Sequence, residues 1–263
     1  MKGVLCVSFG TSHASTRAKT IDAIEERLRE SFPERKLYSA WSSAVIRKKV
    51  LEERGELHDS VEEAFSKALS EGVDDLIVAT TFLMPGREMK RVEEAVASWA
   101  AQGSCRVSFA KPLLSSEDDL RQLSDAVCAE FSYVSDDEAL VLMGHGSSHG
   151  SNDVYFKIQE CLRRSGRPLF FVATVEGEPT IEDVLPDVLA SDARNVYLAP
   201  LMIVAGDHAN NDLAGPDEGS WQSILRARGM QTQAVLKGLG EYAGVQQMIC
   251  THAREAQERA ACA

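Results

Sequence analysis

Signatures of several common protein classes are missing from this chain of 263 residues. Its six cysteines form no C-x-x-C pair and no zinc-ligand spacing, so we expect reduced thiols in a cytoplasmic protein. No apolar run approaches the roughly 20 residues of a membrane-spanning helix. The short apolar segment at the N-terminus ends in a glycine turn without a cleavage pattern, which predicts a buried first strand rather than a secretory signal.

Motifs for nucleotide binding and serine hydrolysis are also missing. The glycine-rich turn at 144–148 has neither the G-x-G-x-x-G spacing nor the lysine of a P-loop, and it is not a G-x-S-x-G elbow. A formal net charge of −12 argues against a nucleic acid as the main partner. We therefore expect no bound nucleotide, no nucleic-acid partner and no membrane partner.

What the chain does contain is a regular alternation of short apolar runs and amphipathic stretches. Strands are predicted at 2–9, 37–41, 75–81, 106–110, 139–143, 169–175, 195–200 and 233–235. Helices are predicted at 15–31, 60–71, 88–101, 116–131, 153–164, 181–190, 219–228 and 242–260. This alternation is typical of an α/β protein with parallel sheets covered on both faces.

The same order of elements runs twice, and short segments recur in corresponding places. The turn at 10–13 matches 146–149, so Phe9 aligns with His145. The loop at 83–88 likewise aligns Glu88 with His208. The pattern predicts a duplication into two similar Rossmann-like, flavodoxin-like halves with parallel sheets and a cleft between them. The predicted halves are residues 1–134 and residues 135–263, the second carrying the metal ligands.

His145 and His208 each follow a predicted apolar strand, and Glu176 is the first charged residue after the middle strand of the second half. In parallel α/β sheets, residues just past the strand ends converge on one crevice. Two imidazoles and a carboxylate form a common set of divalent-metal ligands, with Asp207 as a candidate for orienting an imidazole. Alternatives stay open: a backbone-bonded imidazole at His145, a helix start at His208, and a solvated or capping acid at Glu176.

Hydroxyl and basic side chains are candidates for binding the carboxylates of a ligand. Ser8 and Thr11 lie in the first strand-to-helix turn, where capping of the helix is an equally good interpretation. Arg87 follows a strand beside Gly86 and Glu88, and a second basic cluster lies at 47–49. A solvated helix face is the alternative for both clusters.

The chain resembles the anaerobic sirohydrochlorin cobalt chelatases of the CbiK type from Val4 to about Gly240. The segments that carry the resemblance are 7–12, 143–146, 175–176 and, most specifically, 200–212. It implies a class II chelatase fold and a lyase-class activity, the ATP-independent insertion of Co²⁺ into sirohydrochlorin for anaerobic cobalamin biosynthesis. The resemblance thus implies that Co²⁺ is a substrate and that the molecule bound with it is the tetrapyrrole sirohydrochlorin. A homo-oligomer is compatible with the sequence.

The resemblance also implies roles for individual residues. His145, Glu176 and His208 match metal-binding residues of the family, and His145 matches its catalytic histidine. We assign all three to the catalytic site, with His145 or Glu176 accepting pyrrole protons. The expected substrate-binding residues are those that pack on the ring, meet its carboxylates or supply a further acid at its edge: Ser8, Phe9, Thr11, Met84, Arg87 and Glu88.

One departure from the family pattern bears on cofactors. The family often has a histidine where this chain has Phe82, and in some relatives a histidine of this region is tied to haem, so haem is not expected here. The metal stays open, because the Irving–Williams order does not let these ligands select among Co²⁺, Fe²⁺ and Ni²⁺ by affinity. The alternatives are therefore a ferro- or nickel-chelatase acting on sirohydrochlorin, or a non-catalytic two-lobed metal-binding protein.

Overall fold

The structure, a computed structural model, describes residues 1–101, 103, 105–147 and 152–262. Within these residues the strands form two parallel sheets of four strands each. The first sheet has the order β2-β1-β3-β4 and contains β1 (Lys2–Ser8), β2 (Lys36–Trp41), β3 (Asp75–Thr80) and β4 (Arg106–Phe109). The second has the order β6-β5-β7-β8 and contains β5 (Ala139–Gly146), β6 (Phe170–Glu176), β7 (Asn195–Pro200) and β8 (Gln231–Ala234).

The equal strand orders confirm the predicted α/β class with two similar halves. Ser148 and His149, which belong to the repeated turn, lie outside the described residues. The ten α-helices found in the described residues are α1 (Ala14–Lys19), α2 (Ile21–Ser31), α3 (Ala44–Arg54), α4 (Val61–Ser70), α5 (Arg87–Ala100), α6 (Glu117–Glu130), α7 (Asp153–Arg164), α8 (Ile181–Ala190), α9 (Trp221–Arg226) and α10 (Ala243–Cys262). A π-helix covers Ala209–Leu213, and a 3₁₀ turn covers Leu239–Glu241. Across the described helices, none is both long and apolar enough to cross a membrane.

The strands form where the apolar runs are almost continuous, because a parallel sheet buries both of its faces. All six residues of β3 are buried, as are all of β1 except Lys2. Side chains of α4 and α5 cover one face of the first sheet, and side chains of α8 and α9 cover one face of the second. Reciprocal capping boxes begin α4 at Ser60 and α8 at Thr180, which fixes where these covering helices start.

Two helical segments differ from the prediction. The helix expected at 15–31 is broken at Thr20, which separates α1 from α2. Helix α3 is not predicted from the pattern, because Val50 is its single buried residue while Val45 and Leu51 are exposed. A helix without a continuous apolar stripe gives no periodic signal.

The chain forms two compact units whose limits differ from the predicted division at 134/135. Unit 1 comprises Met1–Ser115 and Gln246–Ala263, and unit 2 comprises Ser116–Val245. Helix α6 belongs to unit 2, where Glu117 pairs with Lys157 of α7 at 2.9 Å. Most of α10 belongs to unit 1, where the Arg254 guanidinium lies over the ring of Phe32. The terminal helix is therefore a component of the first unit's core.

Candidate functional site

Both histidines lie in the second unit, at the carboxyl edge of its sheet. In the sheet, β6 lies on one side of β5 and β7 on the other. The connection that leaves β5 and the connection that enters β7 therefore lie on opposite sides of the sheet, and a crevice opens between these two strands. Ligands of open α/β sheets bind at such a point. His145 is near the end of β5, and His208 follows β7, whose register with β5 is set by the pair Met143 and Pro200.

The turn that carries His145 is held by glycines and a buried tyrosine. A Cβ on Gly144 would overlap the ring of Tyr155, so only glycine fits against that ring. The Gly146 amide donates a hydrogen bond to the Tyr155 hydroxyl at 3.0 Å. Burial raises the pKa of Tyr155, although hydrogen bonds from the backbone of Gly146 and His145 oppose the shift, so the hydroxyl stays protonated at neutral pH.

The His145 ring is exposed, and its Nδ1 lies 3.0 Å from the Gly146 carbonyl oxygen. A carbonyl oxygen only accepts, so this hydrogen bond requires the proton on Nδ1 and leaves the Nε2 lone pair free. The Gly146 φ of 78° is the left-handed conformation that glycine adopts without strain. This turn therefore presents Nε2 as the atom of His145 that is free to bind a metal or a proton.

His208 is positioned by the π-helix that follows it. Ala209 and Leu213 bury their side chains in the core and thereby fix the segment. The His208 Nδ1 lies 2.8 Å from an Asp212 carboxylate oxygen, one turn further along. A carboxylate in that position accepts the Nδ1 proton and leaves Nε2 free, as in many metal-binding histidines. Asp212 is thus a carboxylate that orients His208, and it is a residue that the sequence analysis does not single out, whereas Asp207 stays a candidate for orienting an imidazole.

The two imidazoles lie beside each other. Their ring centroids are 5.0 Å apart and their planes are perpendicular. Each Nδ1 is hydrogen-bonded and each Nε2 is available. Neutral imidazoles with free Nε2 atoms can bind a divalent first-row ion or accept a proton near neutral pH.

Glu176 is not brought into this pair. It ends β6, its side chain is exposed, and the ladder pairs it with Gly146 rather than with His145. In the part of the chain that the structure describes, no three His, Cys, Asp or Glu side chains are grouped closely enough to hold a metal ion.

Four of the expected substrate-binding residues lie at the carboxyl end of β1 and in the loop after β3. The Ser8 hydroxyl is buried and, within the described residues, has no hydrogen-bond partner. Phe9 is 51% exposed. The Thr11 hydroxyl accepts a hydrogen bond from the His13 amide at 3.2 Å, so it stabilises the turn before α1. Met84 is half-buried in the loop that follows β3.

Arg87 and Glu88 lie in the first turn of α5. Arg87 is exposed and makes no ion pair with any described residue. Glu88 pairs with Arg91 at 3.2 Å on the same helix. Nearby, Phe82 is half-buried and packs on the core of the first unit. The structure therefore leaves the Arg87 guanidinium available to an external carboxylate.

Two residues around the histidines were missed by the sequence-based prediction. The i,i+4 spacing of His208 and Asp212 is a signal that could have revealed Asp212, since residues four apart in a helix are neighbours. Tyr155 gives no comparable signal, because its contact with the His145 turn joins elements that are separate in the sequence.

The comparisons with known proteins agree with the predicted resemblance. A family model described as cobalt chelatase (CbiK) matches residues 2–258. The chain belongs to this family. The sirohydrochlorin cobaltochelatase of Salmonella typhimurium is 32% identical over 255 residues, covering 97% of this chain and 96% of the relative. The sirohydrochlorin cobaltochelatase CbiKC of Nitratidesulfovibrio vulgaris is 31% identical over 245 residues, with coverages of 92% and 86%.

Solved chelatase structures share the fold of this CbiK-family chain. SirB from Bacillus subtilis with Fe³⁺ superposes with a TM-score of 0.65 at 15% identity, covering 97% of this chain and 96% of that one. The sirohydrochlorin chelatase SirB from Bacillus subtilis subspecies spizizenii in complex with cobalt gives 0.62 at 16% identity, with coverages of 98% and 97%. At these identities the likeness concerns the fold alone.

Proposed function

We propose that this chain is a sirohydrochlorin cobaltochelatase that inserts Co²⁺ into sirohydrochlorin without ATP, and that His145 and His208 hold the incoming ion. Membership of the cobalt chelatase family supports the reaction, as do the names of the two relatives that match most of the chain. The observation that carries the site assignment is the adjacent pair of imidazoles at the carboxyl edge of the second sheet, each with Nδ1 engaged.

The chemistry requires one ion to enter the macrocycle as two pyrrole N–H protons leave. The Nε2 lone pairs of His145 and His208 bind Co²⁺ while its water ligands are removed. As ring nitrogens replace the protein ligands, the imidazole of His145 is released and its Nε2 can accept one of the two protons. The second proton passes to Glu176 or to solvent. The two protons that leave the ring compensate the two positive charges of the Co²⁺ that enters it.

Glu176 is the third proposed ligand of the metal. Its exposed position at the end of β6 leaves the side chain free to rotate when an ion is bound. The Glu176→Gln variant removes the charge but keeps the size, and we expect weaker Co²⁺ binding with unchanged folding. Equal Co²⁺ affinity in this variant and the wild type would remove Glu176 from the ligand set.

The carboxyl edge of the first sheet is proposed to bind the tetrapyrrole. Sirohydrochlorin is a flat apolar ring with carboxylates around its rim. An exposed Phe9 and a half-buried Met84 suit the ring, while the Ser8 and Thr11 hydroxyls and the Arg87 guanidinium suit its carboxylates. Glu88 is proposed as an acid next to the edge of the ring. In the structure it forms an ion pair with Arg91, which has to break before the carboxylate can contact the substrate.

The decisive experiment is anaerobic mixing of sirohydrochlorin with Co²⁺, followed by absorbance, for the wild type and His145→Ala. We expect the wild type to convert the substrate and the variant to lose most of its rate. Near-normal insertion by His145→Ala would refute the role of this histidine. Wild-type protein that does not insert Co²⁺ faster than the uncatalysed reaction would refute the function itself.

The physiological metal is a separate part of the proposal. Two imidazoles bind Fe²⁺, Co²⁺ and Ni²⁺ in an order that the metals themselves determine, so the ligand set does not select cobalt. Preference for cobalt would therefore have to arise in the insertion step, and we expect cobalt-sirohydrochlorin to form fastest when each ion is supplied separately, with products identified by mass. Faster formation of the iron or nickel product would reassign the enzyme to ferro- or nickel-chelation.

A further inference from the structure

We propose that Asp212 is a positioning residue for metal capture: its carboxylate fixes the tautomer and orientation of His208, so that Nε2 is the atom offered to Co²⁺. The inference rests on the proposed function, because it concerns the same reaction. It adds a residue that does not touch the metal or the tetrapyrrole and acts through His208 alone.

The hydrogen bond that supports this role is short and local. The His208 Nδ1 to Asp212 Oδ2 distance is 2.8 Å, and the two residues are four positions apart. Within the described residues, Asp212 makes no other side-chain hydrogen bond or ion pair. Its carboxylate is therefore committed to the imidazole.

The surrounding backbone gives this pair its geometry. The π-helix from Ala209 to Leu213 is anchored by two side chains that are 0% exposed, Ala209 and Leu213. The Asn210 side-chain amide donates to the Gly206 carbonyl oxygen at 2.8 Å and so secures the start of the segment. Wider turns of this kind are rare in helices and occur often at functional sites. Asp212 is thus held on a rigid segment although its own side chain is 47% exposed.

The physical effect follows from the chemistry of imidazole. A neutral imidazole exchanges its proton between Nδ1 and Nε2, and only an unprotonated nitrogen binds a metal. A carboxylate at Nδ1 keeps the proton there and increases electron density at Nε2. Removing an outer carboxylate of this type usually weakens metal binding by about 10- to 100-fold.

The two histidines differ in this respect. His145 Nδ1 is hydrogen-bonded to a backbone carbonyl, which no side-chain substitution removes. His208 depends on a side chain, so its orientation alone is open to mutation. This difference lets the role of Asp212 be tested with His145 left intact.

The first measurement is the tautomer of His208, by ¹⁵N NMR of the histidine-labelled full chain without metal at mildly alkaline pH. The His208 signals are assigned as those missing from His208→Ala. We expect the Nδ1–H tautomer in the wild type and in Asp212→Asn, whose amide oxygen still accepts, and a shift towards Nε2–H in Asp212→Ala. An unchanged tautomer in Asp212→Ala would overturn the proposal.

The second measurement is Co²⁺ affinity without tetrapyrrole, from the visible absorption of the bound ion. We expect Asp212→Ala to bind about 10- to 100-fold more weakly than the wild type, with Asp212→Asn in between. In a His208→Ala background, Asp212→Ala should cause no further loss. Asp187, an exposed acid on α8, supplies the control variant Asp187→Ala, which should match the wild type. An equal loss in the His208→Ala background would show that Asp212 acts elsewhere and would overturn the proposal.

Insertion kinetics separate this inference from the proposed function. We expect Asp212→Ala to raise the KM for Co²⁺ while the KM for sirohydrochlorin stays within about twofold of the wild-type value. Wild-type protein that binds Co²⁺ but inserts none would refute the proposed function. The tautomer and the Co²⁺ affinity would still test the role of Asp212 in that case. Normal insertion and normal Co²⁺ affinity in Asp212→Ala would refute the role of Asp212 and leave the function standing.

Discussion

The imidazoles of His145 and His208 meet edge to face, with centroids 5.0 Å apart and perpendicular planes. An imidazole nitrogen binds a divalent first-row ion at roughly 2 Å, so two rings this close can share one ion after small side-chain rotations. His145 lies near the end of β5 and His208 at the start of the π-helix after β7, and these two strands are neighbours in the sheet.

A shared ion predicts strong coupling between the two histidines. His145→Ala and His208→Ala should each weaken Co²⁺ binding by about tenfold or more, while the double variant should lose little beyond either single one. Residues that bind the same ion are expected to show interaction energies of roughly 0.5–3 kcal/mol in a double-mutant cycle. Calorimetric titration of the four proteins measures this energy, and His58→Ala in the first unit serves as a control. Additive losses would indicate that the two imidazoles bind separate ions.

Tyr155 should support His145 at a distance. Tyr155→Phe keeps the ring against Gly144 but removes the acceptor of the Gly146 amide. Loss of this hydrogen bond is expected to lower the free energy of unfolding by about 0.5–1.5 kcal/mol, measured by urea denaturation. The loosened turn should also reduce Co²⁺ affinity severalfold. If stability falls and Co²⁺ affinity does not, Tyr155 serves the fold without positioning the histidine.

Much of the architecture is predictable because apolar runs are local. Strands such as β3 are buried throughout, and their composition alone identifies them. The division of the chain is different, since the return of α10 to the first unit depends on contacts such as Arg254 with Phe32, far apart in sequence. Helix α3 escapes detection for a third reason: its exposed Val45 gives it no apolar stripe.

The candidate site was predictable in part. Glycines beside His145 and the strand before His208 located the imidazoles, because parallel strands bring their carboxyl ends together. The place of Glu176 beside Gly146 was not predictable, because the register between β5 and β6 depends on contacts between segments that are separate in the sequence.

The ion pairs of Asp75 should make the first unit sensitive to acid. The Arg35 guanidinium, whose side chain is 0% exposed, contacts both Asp75 carboxylate oxygens at 3.1 and 3.3 Å, and Arg106 adds a contact of 2.7 Å. Burial opposes ionisation of this carboxyl, yet the hydrogen bonds from Arg35 and Arg106 outweigh it and hold the pKa of Asp75 below its usual value.

A lowered pKa in the folded state means that this stabilisation is complete above the unfolded value, about 3.9. It is lost as the pH falls below that value through the folded pKa. Asp75→Asn should cost up to about 3–5 kcal/mol at neutral pH, because the buried Arg35 guanidinium loses the anionic partner of its two Nη atoms and, among the described residues, keeps only Glu34 and backbone carbonyls. In this variant the free energy of unfolding, measured by urea denaturation, should also fall less steeply as the pH is lowered below about 4. The control variant Asp187→Asn, at an exposed position, should change neither the stability at neutral pH nor its pH dependence. If the stability of Asp75→Asn still falls steeply in acid, the acid sensitivity belongs to other carboxyl groups.

Gly146 and Gly166 provide a matched pair that separates backbone strain from steric conflict at the histidine turn. Both have a φ of 78°, so alanine at either position carries the cost of a left-handed conformation, roughly 1–2 kcal/mol. Around Gly166 there is open space, whereas a Cβ on Gly146 would overlap the carbonyl oxygen of Glu176 on β6. Gly146→Ala should therefore destabilise by about 1–3 kcal/mol more than Gly166→Ala, since β5 and β6 must separate at this point. It should also abolish tight Co²⁺ binding, which Gly166→Ala should leave intact. Equal effects of the two substitutions on stability and on Co²⁺ affinity would show that the close approach of Gly146 to Glu176 is not what holds His145 in place.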